Sequence, residues 1–236
     1  GLHSLQLTLH GATREAHDAL AGATCFDKTV RAAVDARDAG LGVVICFVAT
    51  QLSQGHFRDV LELAALLGAH AISYNRMAPA GGSARFNEAL LPSLEQLEQD
   101  LAVAQELGPR LELPISTAMP IPPCLIRYER FPWVRFGFCS TNSPSPNVVI
   151  DPLGNVRACN LSSVILGNLR EQPLRRLLAQ EHLRRFAKAL PRVCVGCRYA
   201  ESCRGGCKES ALATFGALDA PEPLLAQAIG IKEDES

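Results

Sequence analysis

Hydrophobic and polar positions in the first half of the chain predict strands that alternate with helices. Residues 5–9 alternate apolar and polar side chains, as a strand with one buried face does. Residues 43–49 are almost continuously apolar, which is typical of a strand buried on both faces. Residues 71–74 open a third predicted strand, and the short segment 111–113 is a candidate for a fourth.

Segments in which apolar residues have helical spacing separate these strands. Apolar residues recur every three or four positions in residues 26–39, 54–67 and 94–107. Each stretch is followed by a glycine, and Gly108 is followed by a proline, which are helix stop signals. A strand–helix series of this kind predicts an α/β fold with parallel strands joined by right-handed crossovers.

The pattern changes from Met119 onward, where prolines become frequent and long periodic segments end. Residues 148–150 and 155–157 flank an Asp-Pro-Leu-Gly sequence at 151–154, which predicts a β-hairpin. A helix over residues 174–189 is predicted next, and the charged tail 232–236 is expected to be a solvated end. We therefore expect two domains, 1–118 and 119–236.

Composition narrows the classes of function. The chain has 236 residues, of which 47% are hydrophobic, so it can bury a substantial core. Its formal net charge of -1 gives no electrostatic reason to expect binding to nucleic acid or to an anionic membrane. The sequence also has no apolar run long enough for a transmembrane helix.

Nine cysteines are the main chemical signal, and six of them fall into two spaced groups. The groups read Cys139-x14-Gly154-x4-Cys159 and Cys194-x2-Cys197-x5-Cys203-x3-Cys207. Close spacing brings several thiolates around one small centre, as iron–sulfur clusters and tetrahedral zinc both require. Disulfide scaffolds are usually short and poor in core residues, so metal-bound thiolates in a reducing compartment, the cytoplasm, are the better interpretation.

This cysteine pattern resembles the SPASM auxiliary-cluster domain of radical S-adenosylmethionine (SAM) enzymes. The segments around it, 149–159, 166–169 and 203–207, fit the same family. The upstream part resembles the second half of a radical SAM (β/α) barrel, so the resemblance implies a partial barrel followed by a loop-rich SPASM domain. We expect a missing N-terminal half of the barrel and an unpaired sheet edge along residues 5–9.

The resemblance also implies ligands for auxiliary [4Fe–4S] clusters. The first cluster is expected on Cys139, Cys159 and Cys207, and the second on Cys194, Cys197 and Cys203. Cys124 is a candidate for the fourth ligand of the first cluster. No cysteine follows Cys207 in this sequence, so the second cluster would have either an open iron or a carboxylate ligand from Glu201, Glu209 or Asp219. Truncation of the chain could equally have removed its fourth cysteine. The alternative is one tetrahedral zinc ion on the last four cysteines, with the other two as bystanders.

SAM contacts are implied at the ends of predicted strands, where active sites of β/α barrels gather. The candidates are Thr8, His10, Thr50 and Arg76. His10 replaces the usual acidic residue of the family, and a lone histidine at a strand end is more often structural. Residues 79–82, Pro-Ala-Gly-Gly, resemble the family's Pro-x-Gly turn.

By resemblance, the parent enzyme is a peptide or protein maturase. It would abstract hydrogen with a 5′-deoxyadenosyl radical, and its auxiliary clusters would bind substrate or relay an electron. A flavodoxin- or ferredoxin-type protein would be the reductant. The Cys-x3-Cys-x2-Cys motif that binds the SAM cluster does not occur in this sequence, so the chain alone is not expected to cleave SAM.

Other interpretations remain open. Asn160 stands where sulfatase-maturing relatives have an aspartate, and an amide cannot remove a proton, which argues against that activity. A tetrapyrrole or cofactor biosynthetic enzyme and a non-catalytic zinc- or iron–sulfur-binding module are the alternatives. Cys46 lies in an apolar strand and is interpreted as a small buried hydrophobic residue. Cys25 has no evident partner, so neither cysteine is assigned to metal.

Overall fold

The computed structural model describes residues 1–80, 90–142 and 147–231, and these form two compact units. Of the described residues, the first unit comprises 1–77, 90–121 and 126–137, and the second comprises 78–80, 122–125, 138–142 and 147–231. Within the predicted turn and tail, residues 81–82 and 232–236 lie outside the described residues. The domain boundary near residue 118 stays a prediction.

A five-stranded parallel sheet forms the centre of the first unit. Its strands follow chain order: β1 (Ser4–Thr8), β2 (Gly42–Ala49), β3 (Ala71–Arg76), β4 (Ile115–Thr117) and β5 (Val134–Arg135). The α/β class predicted from the sequence is confirmed, and β1 is an edge strand of this sheet.

The predicted strand at residues 111–113 is wrong. Leu111 caps the preceding helix, and Glu112 adopts a left-handed conformation with φ of 53°, which no strand residue has. The chain therefore turns at these residues, and β4 begins at Ile115. The apolar residues 111 and 113 flank a turn that their hydrophobicity alone does not reveal.

Among the described residues, the strands of the first unit are connected by α-helices: α1 (Arg14–Ala21), α2 (Phe26–Asp38), α3 (Phe57–Leu66) and α4 (Leu94–Arg110). The sequence analysis did not predict α1. Asp18 on α1 accepts hydrogen bonds from the backbone N–H groups of Cys25 (2.9 Å) and Phe26 (2.8 Å). Its carboxylate thus satisfies free donors at the start of α2, which fixes the two helices together.

Helix α4 continues through the predicted stop at Gly108. A Cβ atom on Gly108 would lie 2.3 Å from Cδ1 of Trp133, so this glycine permits close packing of the Trp133 indole. The indole Nε1–H donates to the carbonyl of Leu113 at 2.8 Å, which anchors the ring. Gly108 therefore serves packing, and the helix ends at Arg110.

The two faces of the parallel sheet differ in chemistry. One row across the five strands is apolar: Leu7, Ile45, Ile72, Ile115 and Val134. The next row is mostly polar: Thr8, Cys46, Ser73, Ser116 and Arg135. Neighbouring residues on a strand face opposite sides, so these two rows lie on opposite faces of the sheet. The face with the polar row, called the polar face below, also carries Val44 and Val48 of β2.

Aromatic rings fill the core beneath the apolar face. The ring centroids of Phe47 and Phe57 are 5.0 Å apart, and those of Phe57 and Tyr74 are 4.8 Å apart. The Tyr74 hydroxyl donates to Oδ2 of the buried Asp100 at 2.9 Å. Burial raises the pKa of Asp100 to about 7, although the Tyr74 hydrogen bond works against this rise.

The second unit contains a small antiparallel sheet of β6 (Val149–Ile150), β7 (Asn155–Arg157) and β8 (Ile165–Asn168). The predicted hairpin is present as β6 and β7. Asp151 shapes its turn, because Oδ1 accepts from the N–H groups of Leu153 (2.9 Å) and Asn155 (3.0 Å). Gly154 completes the turn with a φ of 89°.

Short helices follow this sheet: α5 (Leu174–Leu177), α6 (Glu181–Lys188), α7 (Ala200–Cys203), α8 (Lys208–Phe215) and α9 (Pro223–Ile229). The single helix predicted over 174–189 is wrong, because Gln180 is extended, with ψ of 153°. The Gln180 side chain donates to the carbonyl of Leu166 on β8, which holds the chain out of the helical path. Among the described residues, no helix has the length and apolar character that crossing a membrane requires.

Candidate metal centre

Left-handed residues bend the segment that carries the last four cysteines. Arg204, Gly205 and Gly206 are consecutive residues with φ of 52°, 84° and 85°, and they turn the chain sharply after Cys203. A Cβ atom on Gly205 would lie 2.5 Å from Cδ of Pro191 and 3.7 Å from Sγ of Cys194. The backbone therefore comes close to a thiol at a position where only glycine fits without displacing a neighbour.

Four cysteines line one pocket in the second unit. Cys124, Cys194, Cys197 and Cys203 surround a space of about 250 Å³ that includes its solvent-open part. Prolines and apolar side chains complete the wall: Pro122, Pro123, Tyr199, Ala200 and Leu225, together with Gly205. The expectation placed Cys124 with the first cluster, whereas the structure brings it to the three cysteines expected to bind the second.

Backbone N–H groups point at two of these sulfur atoms. The N–H of Tyr199 donates to Sγ of Cys197 at 3.4 Å. The N–H groups of Gly205 and Gly206 also interact with the Cys203 thiol and act to lower its pKa. Donors of this kind stabilise negative charge on sulfur, whether the sulfur is free or bound to metal.

Burial nevertheless disfavours the thiolate form of three of these cysteines. It raises the pKa of Cys194 to about 11, and the neighbouring Cys203, Cys124 and Cys197 raise it further. The pKa of the buried Cys203 is also raised, mainly by desolvation. Cys124 is exposed, and partial desolvation raises its pKa in the same direction. A metal centre here must displace protons from the thiols, so its binding is coupled to pH.

The first expected set, Cys139, Cys159 and Cys207, also lies within the second unit. The Thr141 hydroxyl donates to the carbonyl of Ala158 at 3.1 Å and so ties the segment after Cys139 to the end of the hairpin. Burial raises the pKa of Cys159 to about 11, with smaller contributions from the charges of Glu209 and Cys207.

Two buried charged residues follow Cys207 directly, and the sequence analysis missed the first of them. Lys208 is 2% exposed, and its Nζ donates to the carbonyls of Arg204 (3.0 Å) and Ala189. Burial lowers the pKa of Lys208. The charges of cysteines from both sets raise it, and the largest of these contributions comes from Cys139. Glu209 is 4% exposed, and its Oε1 has no hydrogen-bond partner among the described residues. A cation near thiolates of both sets offsets part of their charge.

Three of the predicted SAM contacts lie at the carboxyl ends of parallel strands. Thr8 ends β1, Thr50 follows β2, and Arg76 ends β3. Thr50 Oγ1 accepts from the N–H of Ser53 at 3.2 Å and caps a short 3₁₀ turn. Arg76 is 2% exposed, and its Nε donates to the carbonyl of Pro120 at 2.8 Å. Their local contacts support the fold, and their role toward SAM stays a prediction.

His10, the fourth predicted contact, lies beside a second histidine. Its backbone N–H donates to Nδ1 of His17 at 3.2 Å, and Nε2 of His17 is 3.3 Å from Sγ of Cys25. Burial lowers the pKa of His10, and the charge of His17 lowers it further, so both favour the neutral ring. The ligand atoms of His17, Asp18 and Cys25 lie within 4.8 Å of one another. Asp18 is already engaged with α2, so the group has a structural role.

Comparison with known proteins matches this chain to one family of iron–sulfur proteins. Residues 139–207 match the family model of SPASM, an iron–sulfur cluster-binding domain. The mycofactocin maturase MftC of Mycolicibacterium smegmatis is 28% identical over 228 residues, which cover 93% of this chain and 56% of MftC. The PqqA peptide cyclase of Rhizobium meliloti is 23% identical over 239 residues, covering 95% of this chain and 60% of the cyclase.

A solved structure shows the same fold. Streptococcus suis SuiB bound to the precursor peptide SuiA superposes with a TM-score of 0.69 at 15% identity. The aligned part covers 94% of this chain and 53% of SuiB. The present chain thus spans little more than half the length of the relatives that it matches.

These matches confirm the recognition made from the cysteine spacing. The chain carries a SPASM domain and is related to radical SAM/SPASM enzymes over most of its length. The predicted cofactor class of the C-terminal part, an iron–sulfur cluster, agrees with the matched domain. The donor set agrees too, since one pocket presents four thiols and backbone N–H groups to a common space.

Proposed function

We propose that this chain is the C-terminal part of a radical SAM/SPASM enzyme that modifies a peptide or protein. The observation that carries the proposal is that one chain contains both a SPASM cysteine array and a parallel α/β sheet. Its curated relatives include a maturase (28% identical) and a peptide cyclase (23% identical), and also an AdoMet-dependent heme synthase (24% identical). The peptide-modifying enzymes are the more numerous of these relatives, which favours a peptide substrate over a tetrapyrrole.

When bound, SAM supplies a hydrogen-abstracting radical and the auxiliary [4Fe–4S] clusters supply electron transfer or a substrate ligand. Within this chain, we assign Cys139, Cys159 and Cys207 to the first cluster. Cys194, Cys197 and Cys203 belong to the second. Buried Lys208 holds a positive charge near thiols of both sets, so it favours the anionic, metal-bound state of both.

The polar face of the sheet is our candidate for the substrate-facing wall. Asn75 holds it together, since its Nδ2 donates to Oγ of Ser73 (3.2 Å) and its Oδ1 accepts from the N–H groups of Ala118 (3.0 Å) and Met119 (2.9 Å). Ser116 and Arg135 on the same face are exposed. A peptide enclosed against this face needs partners for its polar backbone groups, and these side chains provide donors and acceptors.

The SAM contacts Thr8, His10, Thr50 and Arg76 belong to this proposal, as does an N-terminal segment that completes the barrel. A flavodoxin- or ferredoxin-type reductant would deliver electrons. We place the protein in the cytoplasm, because a reducing compartment keeps cysteines out of disulfides and available to bind metal.

The test uses the full-length enzyme, reconstituted with iron and sulfide under anaerobic conditions. With dithionite and SAM, we expect 5′-deoxyadenosine to form, and a precursor peptide encoded nearby to change in mass. An Arg135→Gln variant should raise the KM for that peptide and leave peptide-independent SAM cleavage unchanged. A full-length protein that binds iron and yet neither cleaves SAM nor alters a peptide would contradict the proposal.

A non-catalytic zinc module is the second candidate, because the four thiols of one pocket are also a suitable donor set for tetrahedral zinc. Metal analysis separates the two functions. Zinc at one equivalent per chain without inorganic sulfide would support the module and exclude the enzyme.

A further inference from the structure

We propose that Cys124 is the fourth ligand of the second auxiliary cluster, with Cys194, Cys197 and Cys203. The inference rests on the proposed function, since it assumes an iron–sulfur cluster on the last three. The cysteine spacing gives the second cluster only three thiolate ligands. With Cys124, which lies upstream in the chain, the cluster has four.

The composition of the pocket supports this assignment. All four cysteines line the same space, and the remaining wall is proline, glycine, alanine, tyrosine and leucine. Among the described residues that form this wall, none has a carboxylate. Four-iron clusters are held by four cysteine thiolates, and the wall presents four.

Local structure presents Cys124 to this pocket. Pro122 and Pro123 are buried, and their rings fix φ on both residues before Cys124. The N–H of Leu125 donates to the carbonyl of Pro122 at 2.9 Å and closes a turn around Cys124. Residues 122–125 belong to the second unit, whereas the residues on both sides of them belong to the first. The turn is thus held with the cysteine-rich segment.

The acidic alternatives do not fit as well. Glu201 and Asp219 are exposed, and neither lines the pocket. Glu209 is the carboxylate whose charge acts on Cys159 of the first set. Glu222 is buried behind Gly206, where a Cβ atom would lie 3.3 Å from its Oε1. It does not line the pocket, but its charge helps to raise the pKa values of Cys124 and Cys203. Glu222 is the one acidic residue that the experiment must test beside Cys124.

The experiment counts clusters that have an iron atom without a thiolate ligand. Such an iron is lost on oxidation with ferricyanide, and the remaining three-iron cluster gives a paramagnetic signal. In the reconstituted full-length enzyme, we examine the wild type, Cys124→Ala, Cys124→Ser, Glu222→Gln and Cys25→Ala by electron paramagnetic resonance and Mössbauer spectroscopy. Cys25 is the matched control, because it is a free cysteine outside the pocket.

We expect the three-iron signal of Cys124→Ala to exceed that of the wild type by about one spin per chain, as one further four-iron cluster becomes open. Cys25→Ala and Glu222→Gln should match the wild type. If Cys124→Ala does not fold, Cys124→Ser decides the question. Its oxygen would change the Mössbauer parameters of one iron site and preserve the number of clusters.

Equal signals in the wild type, Cys124→Ala and Cys124→Ser would overturn the inference and leave the proposed function intact. A gain of one spin in Glu222→Gln, with no gain in Cys124→Ala, would overturn it as well, in favour of a carboxylate ligand. Wild-type protein with zinc and no sulfide would instead contradict the proposed function.

Discussion

The two units of this chain are stabilised by different means. The first has an apolar sheet face covered by helices and a buried cluster of aromatic rings, so burial of apolar surface stabilises it. The second has strands of two to four residues and helices of four to eight, with a small core around Val156, Leu166 and Leu177. A unit with so little periodic structure depends on cross-links, and its cysteines supply them through metal.

Metal removal should give the largest effect, and only in the second unit. Anaerobic treatment with a chelator should remove protection from hydrogen exchange in residues 122–125 and 194–207. The core strand β2 should stay protected, because its stability does not depend on metal. Hydrogen-exchange mass spectrometry measures both regions in one sample. Equal loss of protection in the two units would contradict the contrast drawn between them.

Truncation of a core aromatic side chain in the first unit should have the second largest effect on stability. Phe47 is fully buried between Phe57 and Tyr74, so Phe47→Ala should lower the free energy of unfolding by about 3–5 kcal/mol. Leu66→Ala is the control, since Leu66 is 81% exposed and its loss should cost under about 0.5 kcal/mol. Denaturant unfolding followed by fluorescence measures both. Similar midpoints for the two variants would show that this cluster does not stabilise the unit.

The buried Asp100 should make the stability of the first unit depend on pH. Its folded pKa of about 7 lies above the ordinary 3.8, so the folded state holds the proton more tightly than the unfolded state. This contribution is complete below pH 3.8 and is lost as the pH rises through 7. Asp100→Asn can keep the Tyr74 hydrogen bond without this loss, so it should unfold at a higher temperature than the wild type at pH 8.

The expected gain for Asp100→Asn at pH 8 is up to about 4 kcal/mol, and it should vanish near pH 4. The exposed Asp35→Asn is the control and should show no such dependence. Thermal unfolding at a series of pH values measures the difference. A gain that is equal at pH 4 and pH 8 would show that Asp100 ionises in the folded state as it does in the unfolded chain.

The smallest expected effect comes from replacing a glycine at the cysteine pocket. Comparing two glycines separates the cost of a positive φ from the cost of steric crowding. Gly205→Ala adds a methyl group 2.5 Å from Pro191, and it should reduce cluster occupancy and stability by roughly 1–3 kcal/mol. Gly196→Ala is the matched control, because Gly196 has a similar φ of 78° with nothing within 4 Å of an added Cβ. Iron content and chelator resistance measure both. Equal losses in the two variants would show that φ alone requires glycine here.

Much of the first unit could be predicted from the sequence, because its strands and helices follow apolar periodicity. The failures have local causes that periodicity does not report. Glu112 takes a left-handed conformation after α4, which moves β4 beyond the predicted strand. Gln180 bonds to β8, which divides the helix predicted over residues 174–189.

The sequence predicts cysteine as the ligand type of the candidate site, but it does not predict which cysteines share one pocket. The spacing of the last four cysteines identifies a metal-binding segment, because nearby thiols in sequence are nearby in space. Cys124 is far from Cys194 along the chain, and only folding brings the two to one pocket. The polar row across the sheet depends on strand register in the same way, so no single segment reveals it.

The central claim is that the second unit is an iron–sulfur domain, and metal analysis tests it most directly. The full-length protein is reconstituted anaerobically, and its iron, acid-labile sulfide and zinc are measured together with its Mössbauer spectrum. Two four-iron auxiliary clusters would contribute about eight iron and eight sulfide ions per chain, in addition to those of the SAM-binding cluster. Stoichiometric zinc without sulfide would contradict the account.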